Sequence, residues 1–255
     1  MMMQLLTKAE HVALLEAGRR QIGQGAGLSR IMRLPLGCAD IDANLNGGLV
    51  AGALHEVTAA DHRAIPAAWG FLLALARIAG AARGGGSIVW PVGKRPGDFG
   101  VAYGPGLKHF GLDPACILFI RCKTREDMLW VMEEALRIGG IGAVVGERVA
   151  PMDLTASRRL QLAAEASTTP IFLLRTHRDD VASAAFTRWR IAPHSASRDR
   201  FGFFAAHRWH VTLERVRGGR TGEWVVEWNH DALRLCIPAG LGSGALPAAR
   251  ARCAA

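Results

Sequence analysis

The residues that say most about chemistry lie where a phosphate-binding loop belongs. Ala53–Thr58 (ALHEVT) reads as a buried strand, and Ala67–Ala82 follows it as a helix. A strand that feeds a helix through G-x-x-x-x-G-K-[ST] binds nucleotide phosphates. Its glycines present backbone N–H groups, its lysine neutralises charge and its hydroxyl holds Mg²⁺. This chain instead reads Ala59-Ala60-Asp61-His62-Arg63-Ala64-Ile65-Pro66-Ala67. Ile65 falls at the lysine position, Pro66 falls at the hydroxyl position, and no glycine occurs from 53 to 69. Arg63 supplies a charge but neither the glycine backbone nor a metal ligand, and Asp61 repels phosphate. The slot formed by Ala59, Arg63, Ile65 and Pro66 is therefore expected to hold no nucleotide, and no cofactor is expected.

Other residue types that carry chemistry are scattered. Cys38, Cys116, Cys122, Cys236 and Cys253 form no CxxC pair, which argues against both a disulfide framework and a zinc site. His207 and His210 in HRWH lack a Cys or carboxylate at ligand spacing, so no metal is expected there.

Charge is the next signal. The 255 residues carry 31 Lys and Arg against 22 Asp and Glu, a formal +9. A basic chain invites a nucleic-acid partner. Lysine occurs only at 8, 94, 108 and 123, however, so the excess is arginine amid Ala and Gly, as a GC-rich genome would give. The densest stretch is Arg188 to Arg220, with Arg188, Arg190, Arg198, Arg200, Arg208, Arg215, Arg217 and Arg220 against Asp199 and Glu214. Trp189, Phe201, Phe203, Phe204 and Trp209 are interleaved. Arginine with aromatics suits single-stranded DNA, charge tracking phosphate and rings stacking on bases. Strict alternation in Arg188-Trp189-Arg190 and Val211–Arg217 favours the plainer arrangement, rings inward and arginines solvated. The loop Ala192–Arg200, rich in Ser and Arg, is the better contact candidate. Arg158 and Arg159, on a helix, are expected on a solvated face, with phosphate contact as the alternative.

The elements that must position these residues follow from hydrophobic periodicity. Ser87–Pro91, Ile117–Arg121, Gly142–Gly146 and Pro170–Arg175 read as apolar strands. Gly104–Phe110, Arg125–Ile138 and Thr155–Ser167 read as the helices between them, Thr124 capping the second. Strands regularly separated by helices predict an α/β fold, a mostly parallel sheet with helices on both faces. Beyond Val181, Thr187–Ile191, Trp209–Arg217 and Glu223–Asn229 alternate apolar with polar residues, and RGGRTG joins the last two as a hairpin. Antiparallel strands at the C-terminal edge are expected. Residues 1–27 read as a helical arm ending in GQGAG, 28–237 as the core, and 238–255 as a disordered Ala/Gly/Pro tail. Met1–Arg20 has no unbroken apolar stretch, and Ala64–Ala82 is cut by Pro66, Gly70, Arg77 and Gly80, so no membrane partner is expected and cytoplasm is the default.

One stretch is more specific than the rest. Leu34–Val57, LPLGCADIDANLNGGLVAGALHEV, sets Gly37, Asp42, Leu45, Gly47, Gly48 and Gly52 before the strand. It resembles the lead-in to the first core strand of RecA-type ATPases. That resemblance implies two further acids. The catalytic glutamate is missing after SIVWP, where Pro91-Val92-Gly93-Lys94 follows and no acid precedes Asp98. Glu147, one residue beyond GAVVG, stands as the possible remnant of the magnesium-associated acid or as an ordinary helix-start residue. DNA, in RecA-type proteins, is held by loops after the later strands, here Arg148–Leu160 and Arg175–Arg208.

With KTREDMLWVMEEALRI, GGIGAVVGE and DLTASRRLQLAAEASTTPIFLLR, the resemblance over roughly residues 5 to 237 narrows to the ImuA family, RecA-like, SulA-related proteins of bacterial SOS mutagenesis cassettes. It implies a RecA-like pseudo-ATPase that supports translesion synthesis in the DNA-damage response. Its implied partners are ImuB and an error-prone C-family polymerase, with RecA and single-stranded DNA as further ones, at the nucleoid. The alternatives are a DNA-dependent ATPase with a non-standard site, and an inhibitor of RecA filaments or of cell division.

Overall fold

A computed structural model describes residues 32–93, 99–138, 140–146, 152–175, 182–198 and 200–238. The expected N-terminal arm, nearly all of the C-terminal tail and Glu147 lie outside them.

The segment that carried the resemblance is a folded lead-in. β1 (Arg33–Leu34) pairs antiparallel with β2 (Leu49–Val50) around the six-residue α1 (Ala39–Asn44). Asp42 ties the segment together: its carboxylate accepts the N–H groups of Leu36 at 2.8 Å and Gly37 at 3.1 Å. Gly47 and Gly48 turn the chain with φ of 103° and 122°. A Cβ on Gly48 would lie 2.4 Å from the Leu34 carbonyl oxygen, so only glycine fits there.

Among the described residues the main sheet has nine strands. Its parallel part contains β3 (Leu54–Ala59), β4 (Ile88–Val92), β5 (Ile117–Arg121), β6 (Ala143–Gly146), β7 (Ile171–Arg175) and β8 (Thr187–Pro193). Three antiparallel strands extend it, β11 (Arg208–Val216), β12 (Gly222–Asn229) and β13 (Arg234–Cys236). The order is β13-β12-β11-β8-β3-β7-β6-β4-β5. β3, which leads into the phosphate slot, thus lies between two strands from much later in the chain. β8 differs from its expected place: it runs parallel to β3 and antiparallel to β11, and so joins the two halves of the sheet. β9 (Ser197–Arg198) and β10 (Phe204–Ala206) form a separate ribbon inside what reads in sequence as loop.

Helices cover both faces, and strand alternation decides which residue meets which layer. On one face α2 (Ile65–Ala82), with α1 and α3 (Gly104–His109), packs on Val57, Trp90, Val145 and Phe172. On the other, α4 (Arg125–Ile138) and α5 (Leu154–Ser167) pack on Leu54, Val89, Val144 and Ile171. α2 is apolar because it is central, lying against β3, β7 and β8. α4 begins with a reciprocal cap: Asp127 N–H donates to Thr124 Oγ1 at 3.1 Å, and Thr124 N–H donates to Asp127 Oδ2 at 3.2 Å.

Candidate functional site

The sheet brings the segment at the phosphate-loop position to the carboxyl ends of β3, β4 and β8, where ligands of open α/β sheets bind. β3 passes through one 3₁₀ turn, His62–Ala64, straight into α2. Asp61 caps that turn, its Oδ1 accepting the Ala64 N–H at 2.9 Å. An internal carboxylate thus takes a donor at the helix entry, the place where a phosphate would be held. Ile65, at the lysine position, is 4% exposed and belongs to the core, while Arg63 points to solvent.

Beside this turn opens a cleft of about 580 Å³. Ile65, Pro66, Trp69 and Leu73 of α2 form one wall, and Trp90 of β4 stacks on Trp69 at 4.9 Å. Phe110 and Trp209 close one end, and Pro193 and His194 stand opposite at the end of β8. Its rim is apolar yet open to solvent: Phe99 is 48% exposed, Tyr103 71% and Val101 77%. Among the described residues, the one arginine in its lining, Arg208, is paired with Glu227 at 2.6 Å. Such a wall can hold rings and aliphatic side chains. Of its residues, Ile65, Pro66, His207, Arg208 and Trp209 are weighed from the sequence, and Pro193, His194 and Ala196 belong to the candidate loop Ala192–Arg200; the rest of the lining is not. Trp69 and Leu73 lie on the helical face of α2 and carry no sequence signal that separates cleft wall from core.

A second set of polar residues is buried under the sheet centre. Glu56 of β3 is fully buried. Its Oε1 accepts from Arg175 Nη1 at 3.0 Å and Ser183 Oγ at 2.6 Å, and its Oε2 accepts from Arg188 Nε at 3.1 Å. On the opposite face His55 is also fully buried. Its Nε2–H donates to the Val50 carbonyl at 2.9 Å, and its Nδ1 accepts from Thr187 Oγ1 at 2.8 Å. Thr187 Oγ1 in turn accepts from Trp189 Nε1 at 2.9 Å. Burial pushes the His55 pKa down to about 4, so the ring is neutral at pH 7.

The arginines singled out in sequence divide into two groups. Arg188 and Arg190 of β8 and Arg208 of β11 are spent on carboxylates within the sheet, Glu56, Glu214 and Glu227. Trp189 and Trp209 between them are core residues. Arg159 pairs with Glu133, which also takes Arg137 at 2.5 Å. Arg158 on α5 is exposed. Arg198 sits in β9, and Arg200 follows it, exposed, with its guanidinium 4.6 Å from the Phe201 ring centroid. Phe201, Phe203 and Phe204 are all solvent-exposed.

The histidine pair of HRWH is separated by the strand. His210 Nε2 contacts Glu223 Oε1 at 2.8 Å. His207 stacks on Phe110, ring centroids 5.4 Å apart, and burial together with His230 and His109 pushes its pKa down to about 4.

Comparison with known proteins places this arrangement in a family. No family model matches the sequence. The chain is 39% identical over 199 residues to the protein named ImuA in two strains of Caulobacter vibrioides, an alignment that covers 71% of this chain and 77% of each relative. With that identity over most of both chains, and with the expected sheet in place, the chain belongs to the ImuA family of bacterial mutagenesis-cassette proteins.

Proposed function

We propose that this chain is a non-catalytic RecA-like accessory protein of damage-induced, error-prone translesion synthesis, acting with ImuB and a C-family polymerase at the nucleoid. One observation carries the reading: Ile65 and Pro66, at the lysine and hydroxyl positions of a phosphate loop, wall an apolar cleft with an exposed Phe99, Val101 and Tyr103 rim. Contiguous exposed apolar surface of this kind marks a protein interaction site. Concave, largely preformed and aromatic-walled, the cleft suits insertion of an apolar anchor residue. The occupant is an apolar segment of ImuB.

Nucleotide chemistry is poorly served by the same residues. Asp61 already occupies the Ala64 donor, and among the described residues the cleft lining holds one arginine, which is paired. Co-purification of ImuB with the full chain tests the reading. Retention of ImuB by the unaltered chain and its loss on Tyr103→Ser supports it. Saturable ATP binding with phosphate release, stimulated by single-stranded DNA, would replace it with the ATPase alternative.

A further inference from the structure

Three histidines from separate elements meet at one end of the cleft. His109 is the last residue of α3, His207 precedes β11, and His230 follows β12. One ring nitrogen from each lies within 4.8 Å of the other two. We propose that His109, His207 and His230 form a three-histidine site for a divalent transition-metal ion of the zinc class.

Two features point beyond chance proximity. The Nδ1–H of His230 donates to the backbone carbonyl of His109 at 3.1 Å, which fixes the tautomer and leaves Nε2 with its lone pair. Metal-binding histidines are commonly oriented in this way, through a hydrogen bond from the other ring nitrogen. That Nε2 is sealed from solvent and has no hydrogen-bond partner among the described residues. A buried acceptor without a donor costs stability, and a metal ion satisfies it.

Magnitudes allow closure of the site. A tetrahedral ion with metal–nitrogen bonds of about 2.0–2.1 Å sets its ligand nitrogens about 3.3 Å apart. The present spread of up to 4.8 Å therefore closes with ring movements of about 1.5 Å. His109 is exposed at the helix end with its ring centroid 3.9 Å from that of His230, so it is the ligand with open space to move into, whereas His207 is held by stacking on Phe110 and Trp209. Three imidazoles without thiolate suit zinc, cobalt, nickel or copper and disfavour magnesium and calcium. The exposed side, at His109, leaves a fourth position to water. The ion clips α3 to β11 and β12 and so fixes the Phe110 end of the cleft. It binds whether or not the cleft takes ImuB.

The test is calorimetric titration of zinc chloride into the full chain after EDTA treatment and its removal. One ion per chain is expected, with affinity lowered about 100-fold in His109→Ala and in His230→Ala. His210→Ala, outside the cluster, keeps the unaltered affinity. Cobalt is expected to bind with visible d–d absorption and without the ultraviolet band of thiolate ligation. Because His109 is exposed, His109→Ala retains the fold, which circular dichroism verifies. No saturable binding at micromolar zinc, equal binding by His109→Ala and the unaltered chain, or a thiolate band on cobalt addition overturns the assignment.

Discussion

Asp61 Oδ1 accepts the backbone N–H of Ala64 at 2.9 Å, so the turn that would cradle a phosphate is capped by the chain's own carboxylate. The cap is a stability element. Asp61→Ala is expected to lower unfolding free energy by about 1 kcal/mol, and Asp61→Asn by less, in urea titrations. Neither variant should acquire affinity for a fluorescent ATP analogue. Gain of such affinity would show that the carboxylate had been blocking a latent phosphate site.

The Glu56 cluster makes a larger prediction. Glu56→Gln removes the charge that compensates Arg175 and Arg188 in a buried setting. Loss of one partner from a buried pair costs about 3–5 kcal/mol. A fall in urea midpoint of that size is expected, with the slope of the transition unchanged. A cost under about 1 kcal/mol would mean that water already solvates the cluster.

Acid should unfold the protein through His55. Its folded pKa of about 4 lies below the ordinary value of 6.5. Above pH 6.5 both folded and unfolded rings are neutral, and the full contribution is present. As pH falls from 6.5 to 4 the unfolded ring takes a proton that the folded ring refuses, and about 3 kcal/mol of stability is lost. His207 shifts in the same direction. Urea midpoints measured across this window should fall steadily with acidity, and more gently in His55→Gln.

Substitutions on the cleft rim should separate binding from folding. Val101 and Tyr103 are exposed, so Val101→Ser and Tyr103→Ser are expected to change stability by no more than about 0.5 kcal/mol. Loss of an aromatic anchor costs about 2 kcal/mol of binding, or roughly 30-fold in the ImuB dissociation constant. Surface plasmon resonance with immobilised ImuB reads this directly. Unchanged affinity in both variants would move the interface elsewhere.

Arginine position predicts any contact with single-stranded DNA. Arg200→Ala should weaken binding and reduce the salt dependence by about 0.7 in log–log slope. Arg190→Ala should leave that slope unchanged, because its guanidinium is held by Glu214 at 2.9 Å. Fluorescence anisotropy with a labelled oligonucleotide at several salt concentrations distinguishes the two.

Local signals made much of the architecture legible. Ile117–Arg121 and Arg125–Ile138 occupy the residues that apolar periodicity and the Thr124 cap assign them. Alternation alone puts Trp189 on one face of β8 and Arg188 and Arg190 on the other, but Arg188 reaches the buried Glu56 rather than solvent, which alternation does not show. β9, β10 and β13 escaped because strands of two or three residues show no alternation, and α1 because six residues are less than two helical turns. The cleft and the polar clusters escaped for another reason. Trp69 looks like any core aromatic of a helix until it is seen, partly buried, to line the cleft beside Phe99 to Tyr103. Glu56 meets Arg175 and Arg188, and His207 meets His109 and His230, only because the strand order brings distant segments side by side. The absence of the phosphate-loop residues was readable because that motif depends on residue identity at fixed spacing.

The packing of Ile65 also sets a direction for sequence change. A lysine there would place an ammonium in a site 4% exposed, a glycine nearby would loosen the Asp61-capped turn, and Pro66 offers no hydroxyl. Each step toward a phosphate-binding loop is therefore harmful alone and useful only after the others are made. The turn is thus expected to tolerate further apolar substitution more readily than an added charge, because its entry into α2 is packed against the core rather than open to solvent.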